Sequence, residues 1–307
     1  MMSLGFLSAI LPDASLGEVL ALASRVGYDC VELACWPTGE GGRRYAGVTH
    51  IDVVQDDAAA IRTQLDESGV AASALGYYPN PLSVDRDEAE AAQSHLRRVI
   101  EFAAALGIDR VNTFVGRDQT QSIDANWPRF LDVWTPLVAQ AESHGVRIGI
   151  ENCPMIFTED EWPGGKNLAF APVLWRRMFD DLPSDHFGLN YDPSHPIWLQ
   201  MDPIAPIREF GDRIFHVHAK DVRVDRAALN DRGVLAHPNE WHAPKLPGLG
   251  DLDWGAFFAA LGDIRYRGPV VAEVEDRSYE GSPADCELAL VQCHDFLRTF
   301  VPRPPAG

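Results

Sequence analysis

Basic residues are scarce in this chain: 26 Lys and Arg stand against 45 Asp and Glu, a formal net charge of −19. A nucleic-acid partner needs a basic stripe to displace condensed counterions, and an anionic bilayer repels a surface of this sign. Neither partner is expected. Cysteine is also sparse. The five thiols (Cys30, Cys35, Cys153, Cys286, Cys293) are odd in number and contain no C-x-x-C pair, which argues against a disulfide framework or a structural zinc and for a reducing compartment. No stretch approaches the ~18 apolar residues of a membrane span. The opening MMSLGFLSAILPDASLG has neither a basic n-region nor a small-residue cleavage site, so a cytoplasmic protein is expected. A G-x-G-x-x-G after the first apolar run is missing too, which weakens an open dinucleotide-binding sheet.

What is present is a regular alternation. The chain has 307 residues, 46% of them hydrophobic, enough for one large core. Short apolar runs at 4–11, 30–36, 72–78, 110–116, 147–153, 187–194, 214–221 and 269–276 read as strands buried on both faces. Helical patterns separate them at 15–26, 56–68, 85–106, 123–144, 172–181, 203–210, 254–262 and 283–300. Ser15 stands three residues before Glu18, a capping-box spacing, and Gly69, Gly107 and Gly145 follow the ends of three helical stretches. Eight strands alternating with eight helices predict an α/β fold, a single-domain (β/α)8 barrel over residues 1–307 with a flexible tail at 301–307. Two long loops, 154–171 and 222–252, follow the fifth and seventh strands, on the side where such barrels contact substrate.

Four polar side chains fall at or near the ends of four successive runs: Glu151 in GIENCP, Asp192 in NYDPSH, His218 in HVHAKD and Glu273 in VVAEVED. An isolated carboxylate after a strand more often caps the next helix. Four together converge on one axis in a barrel, where three carboxylates in a low-dielectric mouth repel one another unless a cation joins them. Three carboxylates and one imidazole suit one divalent ion, Mn²⁺ first and Mg²⁺, Co²⁺ or Fe²⁺ as alternatives. His216 and His218 differ by two and share a side of their strand, as do Glu273 and Glu275. His218 stands nearer the strand end than His216; parity alone leaves Glu273 and Glu275 open.

The motifs IENCP, the D-x-x-H of Asp192 and His195, HVHAKD, PGLGDLDW and GPVVAEVED, in this order and spacing, resemble the xylose isomerase-like barrel superfamily, in its sugar phosphate isomerase/epimerase branch with ketose 3-epimerases and inosose dehydratases. The similarity spans nearly the whole chain. It implies that Glu151, Asp192, His218 and Glu273 bind the metal, that Glu151 and Glu273 also exchange protons with substrate, and that His195 contacts substrate beside the metal. The activity implied is isomerisation or epimerisation of a sugar through an enediolate, with a lyase of the same fold (dehydration of a keto-inositol or elimination from a 3-keto-glycoside) as the alternative, since both begin by removing a proton α to a carbonyl. Two departures stand out. Phe157 and Thr158 fall about where ketose epimerases carry an acid, the nearest acids being Glu159, Asp160 and Glu161, and the arginine expected after the seventh-strand histidine is matched by Arg223.

Other residues carry paired readings. His195 and Lys220 are expected to contact substrate, against a local turn bond for His195 and an ion pair with Asp221 or another carboxylate for Lys220. His216 is read as substrate-binding or as a deeper support, and Glu32 and Asn152 as orienting or structural groups. Trp36, Tyr77, Tyr78 and Trp198 either pack the rim or stack on a sugar face. Cys153 reads as a small buried hydrophobe, Lys166 as a solvated loop lysine, and His237 with His242 as a lid or second metal site. The expected partner is a small carbohydrate, with homo-oligomer formation left open. A three-metal phosphodiesterase on this barrel would need a basic face, which the charge opposes; a partner-dependent, non-catalytic metal-binding subunit is opposed by the intact glutamates.

Overall fold

The computed structural model describes residues 1–39, 46–159 and 162–303. Eight parallel strands close a barrel: β1 (Ser3–Leu7), β2 (Cys30–Ala34), β3 (Ala71–Gly76), β4 (Arg110–Thr113), β5 (Arg147–Glu151), β6 (Phe187–Tyr191), β7 (Ile214–Ala219) and β10 (Pro269–Ala272). Each pairs with its neighbours in sequence, and β1 pairs with β10 to remove the edges. Every strand is shorter than the apolar run that carries it. Each run continues past the last strand residue into the βα loop.

The helices form where local chemistry starts and stops them. In α1 (Leu16–Val26) the capping box is present, Ser15 and Glu18 satisfying each other's backbone donors. Asp57, Asp85 and Ser122 cap α2 (Ala58–Ser68), α3 (Arg86–Leu106) and α4 (Ile123–His144). Gly69, Gly107 and Gly145 close those three helices in the left-handed region. Trp134, Trp175, Phe130 and Phe187 fill the layer between helices and barrel and are fully buried.

Two segments depart from the sequence reading. The run 187–194 does not continue as strand to its end: β6 stops at Tyr191, and Pro193 leads into a one-turn helix, α6 (Ser194–Trp198), so Asp192 and His195 sit on a turn above the barrel. The stretch expected as helix at 203–210 shortens to α7 (Ala205–Glu209). The later helices are α5 (Pro172–Asp181), α9 (Trp254–Asp263) and α10 (Pro283–Leu297).

The loop expected after the seventh strand is itself folded. It holds β8 (Asp221–Val224) and β9 (His242–Lys245), paired antiparallel, with α8 (Arg226–Arg232) between them. A small apolar cluster of Trp198, Trp241, Ile156, Val222, Val224 and Leu229 fixes this hairpin to α6 and to the fifth loop. Of the proposed tail, residues 304–307 lie outside the described part, as do Asp160 and Glu161. Among the described residues no helix is long and apolar enough to cross a membrane.

Candidate metal centre

The ends of β5, β6, β7 and β10 bring Glu151, Asp192, His218 and Glu273 together: one ligand-capable atom from each lies within 4.8 Å of the others. All four are buried. Three of the converging atoms, Asp192 Oδ2, His218 Nδ1 and Glu273 Oε2, make no hydrogen bond. They have charged neighbours nonetheless. His218 Nδ1 is 3.0 Å from Glu273 Oε2, and Lys220 Nζ is 3.1 Å from Asp192 and 2.9 Å from Glu273. These contacts satisfy a distance and not a direction, so none of the three atoms is properly hydrogen-bonded. Buried polar atoms without a directed partner are uncommon, and three aimed at one point fit a cation there.

Deeper residues hold that arrangement. His218 Nε2 lies 2.8 Å from Glu32 Oε2, and Tyr78 donates its hydroxyl to the other oxygen of the same carboxylate. A carboxylate on Nε2 keeps that nitrogen protonated, so a bound ion would take the lone pair of Nδ1 on the side facing the cluster. Glu32 is fully buried on β2. Burial pushes its pKa up, but His218 outweighs that and the net shift is downward, toward the charged form. Gly76 gives Glu32 room: a Cβ at that position would meet the carboxylate at 2.6 Å. His216 sits one layer lower, fully buried between Asn190 Oδ1 at 2.9 Å and Ser73 Oγ at 3.2 Å. Burial lowers it to about 3, so it is neutral. Asn152 braces Asp192 with two backbone bonds of 2.9 and 2.8 Å.

Lys220 sits 3.0 Å from Glu275, besides Asp192 and Glu273. Burial disfavours its charge, yet these carboxylates raise its pKa well above the ordinary value. The Asp221 partner considered for Lys220 is not the one observed. Asp221 instead accepts from the amides of Gly248, Gly250 and Leu252 and from the indole of Trp254, fastening the returning PGLGDLDW segment. Glu151 and Glu273 are driven apart in acidity. Burial and then Glu273 raise Glu151, whereas Lys220 and His218 overcome burial at Glu273 and bring it to about 2.

His195 reaches the centre from α6, its Nε2 at 3.3 Å from Glu151 and 3.2 Å from Asp192, while Trp198 donates its indole N–H to Nδ1 at 3.3 Å. Above the centre opens a cavity of about 1240 Å³, lined by Trp36, Tyr77, His195, Trp198, Lys220 and His242 among others. Trp36 stands edge-on to Tyr77 there, centroids 4.9 Å apart. Lys166, Phe157 and Thr158 also line it. Cys153, read as a small buried hydrophobe, is buried in an apolar cluster with Phe114 and Met155; it also lines the cavity and forms with Glu151 and His195 a second group close enough to hold an ion. His237 caps a single helical turn, its Nδ1 accepting from the Asn239 amide, and among the described residues it forms no metal-holding group with His242.

Two residues expected at the substrate lie elsewhere. Arg223 is exposed on β8, opposite Ala243, because strand alternation turns it outward while Val222 and Val224 face in. His216 is enclosed under His218 and Asn190 and does not line the cavity. Glu273 belongs to the four-residue group and Glu275 does not; Glu275 accepts from Lys220 and lines the cavity. Two residues that sequence reasoning passed over are Asn190, whose amide reaches Tyr78 and His216, and Asn167, whose amide spans the backbone of Glu151, Cys153 and Val115. Asn190 precedes Asp192 by two, the same spacing as His216 and His218, and that parity was the available signal.

The family model described as a xylose isomerase-like TIM barrel matches residues 20–299. The chain is 27% identical to the uncharacterised protein YfiH of Bacillus subtilis (strain 168), over 90% of this chain and 93% of that protein. It is 30% identical to an inosose dehydratase of Clostridium tetani (strain Massachusetts / E88), over 32% of this chain and 33% of the relative, so that likeness covers about a third of each. Among solved structures, a D-psicose 3-epimerase crystallised in the presence of D-fructose superposes with a TM-score of 0.71 at 17% identity, covering 98% and 99% of the two chains. The protein IOLI, solved with a bound zinc atom, gives 0.71 at 19% identity, covering 98% of each. At these identities both structures attest the fold. With a family model matched over most of its length and a closed barrel to accompany it, the chain belongs to the xylose isomerase-like TIM barrel family.

Proposed function

We propose that this chain is a divalent-metal-dependent isomerase or epimerase of a sugar or sugar-like polyol, working by proton abstraction α to a carbonyl. The observation that carries the reading is the four-residue group with its three unbonded atoms turned to one point. Glu151, Asp192, His218 and Glu273 would hold the ion, and the oxygen-rich donor set favours Mn²⁺, with Mg²⁺, Co²⁺ or Fe²⁺ next. The zinc atom in IOLI makes Zn²⁺ a further candidate for the same residues. A bound divalent cation would supply Lewis acidity, polarising the carbonyl and offsetting the charge of the enediolate.

The chain's own residues do the rest. Glu151 and Glu273 flank the centre with acidities pushed in opposite directions, the pattern that separates an acid from a base. One removes the α-proton and the other returns it on the opposite face. His195 orients Glu151, and with Lys220 and Trp36 it contacts the substrate from the cavity wall. The folded hairpin and its apolar cluster wall one side of the site.

A lyase remains the second reading, favoured by the likeness to inosose dehydratase. The test is incubation of Mn²⁺-loaded protein in D₂O with ketoses, inososes and 3-keto-glycosides. Solvent deuterium is expected at the carbon α to the carbonyl, and its absence from every substrate overturns the proton-transfer reading. Release of water or an aglycone would make the enzyme a lyase.

A further inference from the structure

The hairpin between β7 and α9 places one more polar group on the cavity wall. His242, at the start of β9, lies flat on Trp198, with ring centroids 4.6 Å apart and planes 12° from parallel. Its Nδ1 is 2.6 Å from the carbonyl oxygen of Pro238. A carbonyl only accepts, so Nδ1 carries the hydrogen and Nε2 of the neutral ring is a free acceptor. Among the described residues Nε2 has no hydrogen-bond partner, and His242 lines the same cavity as Glu151, His195 and Lys220. Burial brings the ring down to about 4, so it stays neutral.

We propose that His242 is a specificity-determining residue of this site, its Nε2 accepting a hydrogen bond from a hydroxyl of a polyhydroxylated substrate. The proposal rests on the carbohydrate reading above. Trp198 presents the ring, Pro238 sets which nitrogen carries the hydrogen, and the hairpin carries the residue over the barrel mouth. The excursion after β7 is thereby part of the binding site as well as a cover for it.

Three substitutions separate this role from packing. His242→Asn keeps an N–H donor near Pro238 and removes the acceptor. His242→Gln restores an acceptor close to the position of Nε2. His242→Phe keeps the flat stack on Trp198 and removes both nitrogens. Binding of D-psicose, D-fructose and an inosose to the Mn²⁺-loaded proteins is measured by titration calorimetry, with bound metal and melting temperature alongside. For the best-bound probe, the Asn and Phe variants are expected to weaken binding about three- to tenfold and the Gln variant less than threefold, with metal content unchanged. Equal affinity in wild type and in both the Asn and Phe variants, or an equal loss in the Asn and Gln variants, overturns the role of Nε2. Failure of the wild type itself to bind any of the three probes overturns the carbohydrate reading, and this proposal with it.

Discussion

Glu32 never touches the cavity, yet its removal tests how the centre is built. Its carboxylate accepts from Tyr78 and from His218 Nε2, and through the latter it assigns Nδ1, which faces Glu151 and Glu273, as the nitrogen that would bind an ion. Glu32→Gln keeps the shape but offers an amide in place of the anion. The imidazole loses the partner that fixes its tautomer and raises its basicity. Outer partners of ligating histidines are worth about 10- to 100-fold in metal affinity, or about 1.4–2.8 kcal/mol. The loss should fall near the upper end here, because Glu32 and His218 are both fully buried and water cannot take over the bond. The assay is Mn²⁺ affinity by competition with a chelator, with circular dichroism to verify the fold. Unchanged affinity in a folded Glu32→Gln protein would refute the claim that the second strand sets the donor state of His218.

Three further outcomes follow from the same geometry. Glu273→Gln should reduce deuterium exchange by about 10²–10⁴-fold with the barrel still folded, whereas activity within tenfold of wild type would remove Glu273 from proton transfer. His216 is held neutral in the folded protein at about 3, while the unfolded chain titrates at its ordinary 6.5. Unfolding therefore takes up a proton below 6.5, and the stability difference between wild type and His216→Gln should shrink as pH falls, by up to about 1.4 kcal/mol per pH unit; a pH-independent difference in urea melts counts against a neutral buried ring. Asp221→Ala leaves several buried loop donors unpaired and should cost about 3–5 kcal/mol, measured as a fall in melting temperature; a change under 1 kcal/mol would show that the hub is dispensable.

The barrel was legible because a parallel strand buried on both faces leaves a continuous apolar run, and helix caps leave Ser, Asp and Gly at fixed offsets. The four-residue group was legible for a related reason: strand ends in a closed barrel must converge, so position along the chain becomes position in space. What sequence could not supply was direction beyond the ladder. Arg223 looked like a ligand-facing arginine when 222–252 was read as a loop; as a β-strand residue its side chain is assigned by alternation, and it points away. Lys220 could be paired with any nearby acid until Asp221 was seen to be occupied by backbone amides. Glu275 shares the parity of Glu273, and only the end of β10 at Ala272 separates them in reach.

The Asp221 hub has a consequence for how this chain can change. The polypeptide leaves the barrel at that carboxylate and returns to it at Gly248, Gly250 and Leu252. Both ends of the excursion are thus clamped to one point, and lengthening what lies between adds only a slowly growing closure cost. Such a junction behaves as a socket. Segments of different length and sequence can be exchanged there, altering what covers the mouth, while the strand carrying His218 stays in register beneath.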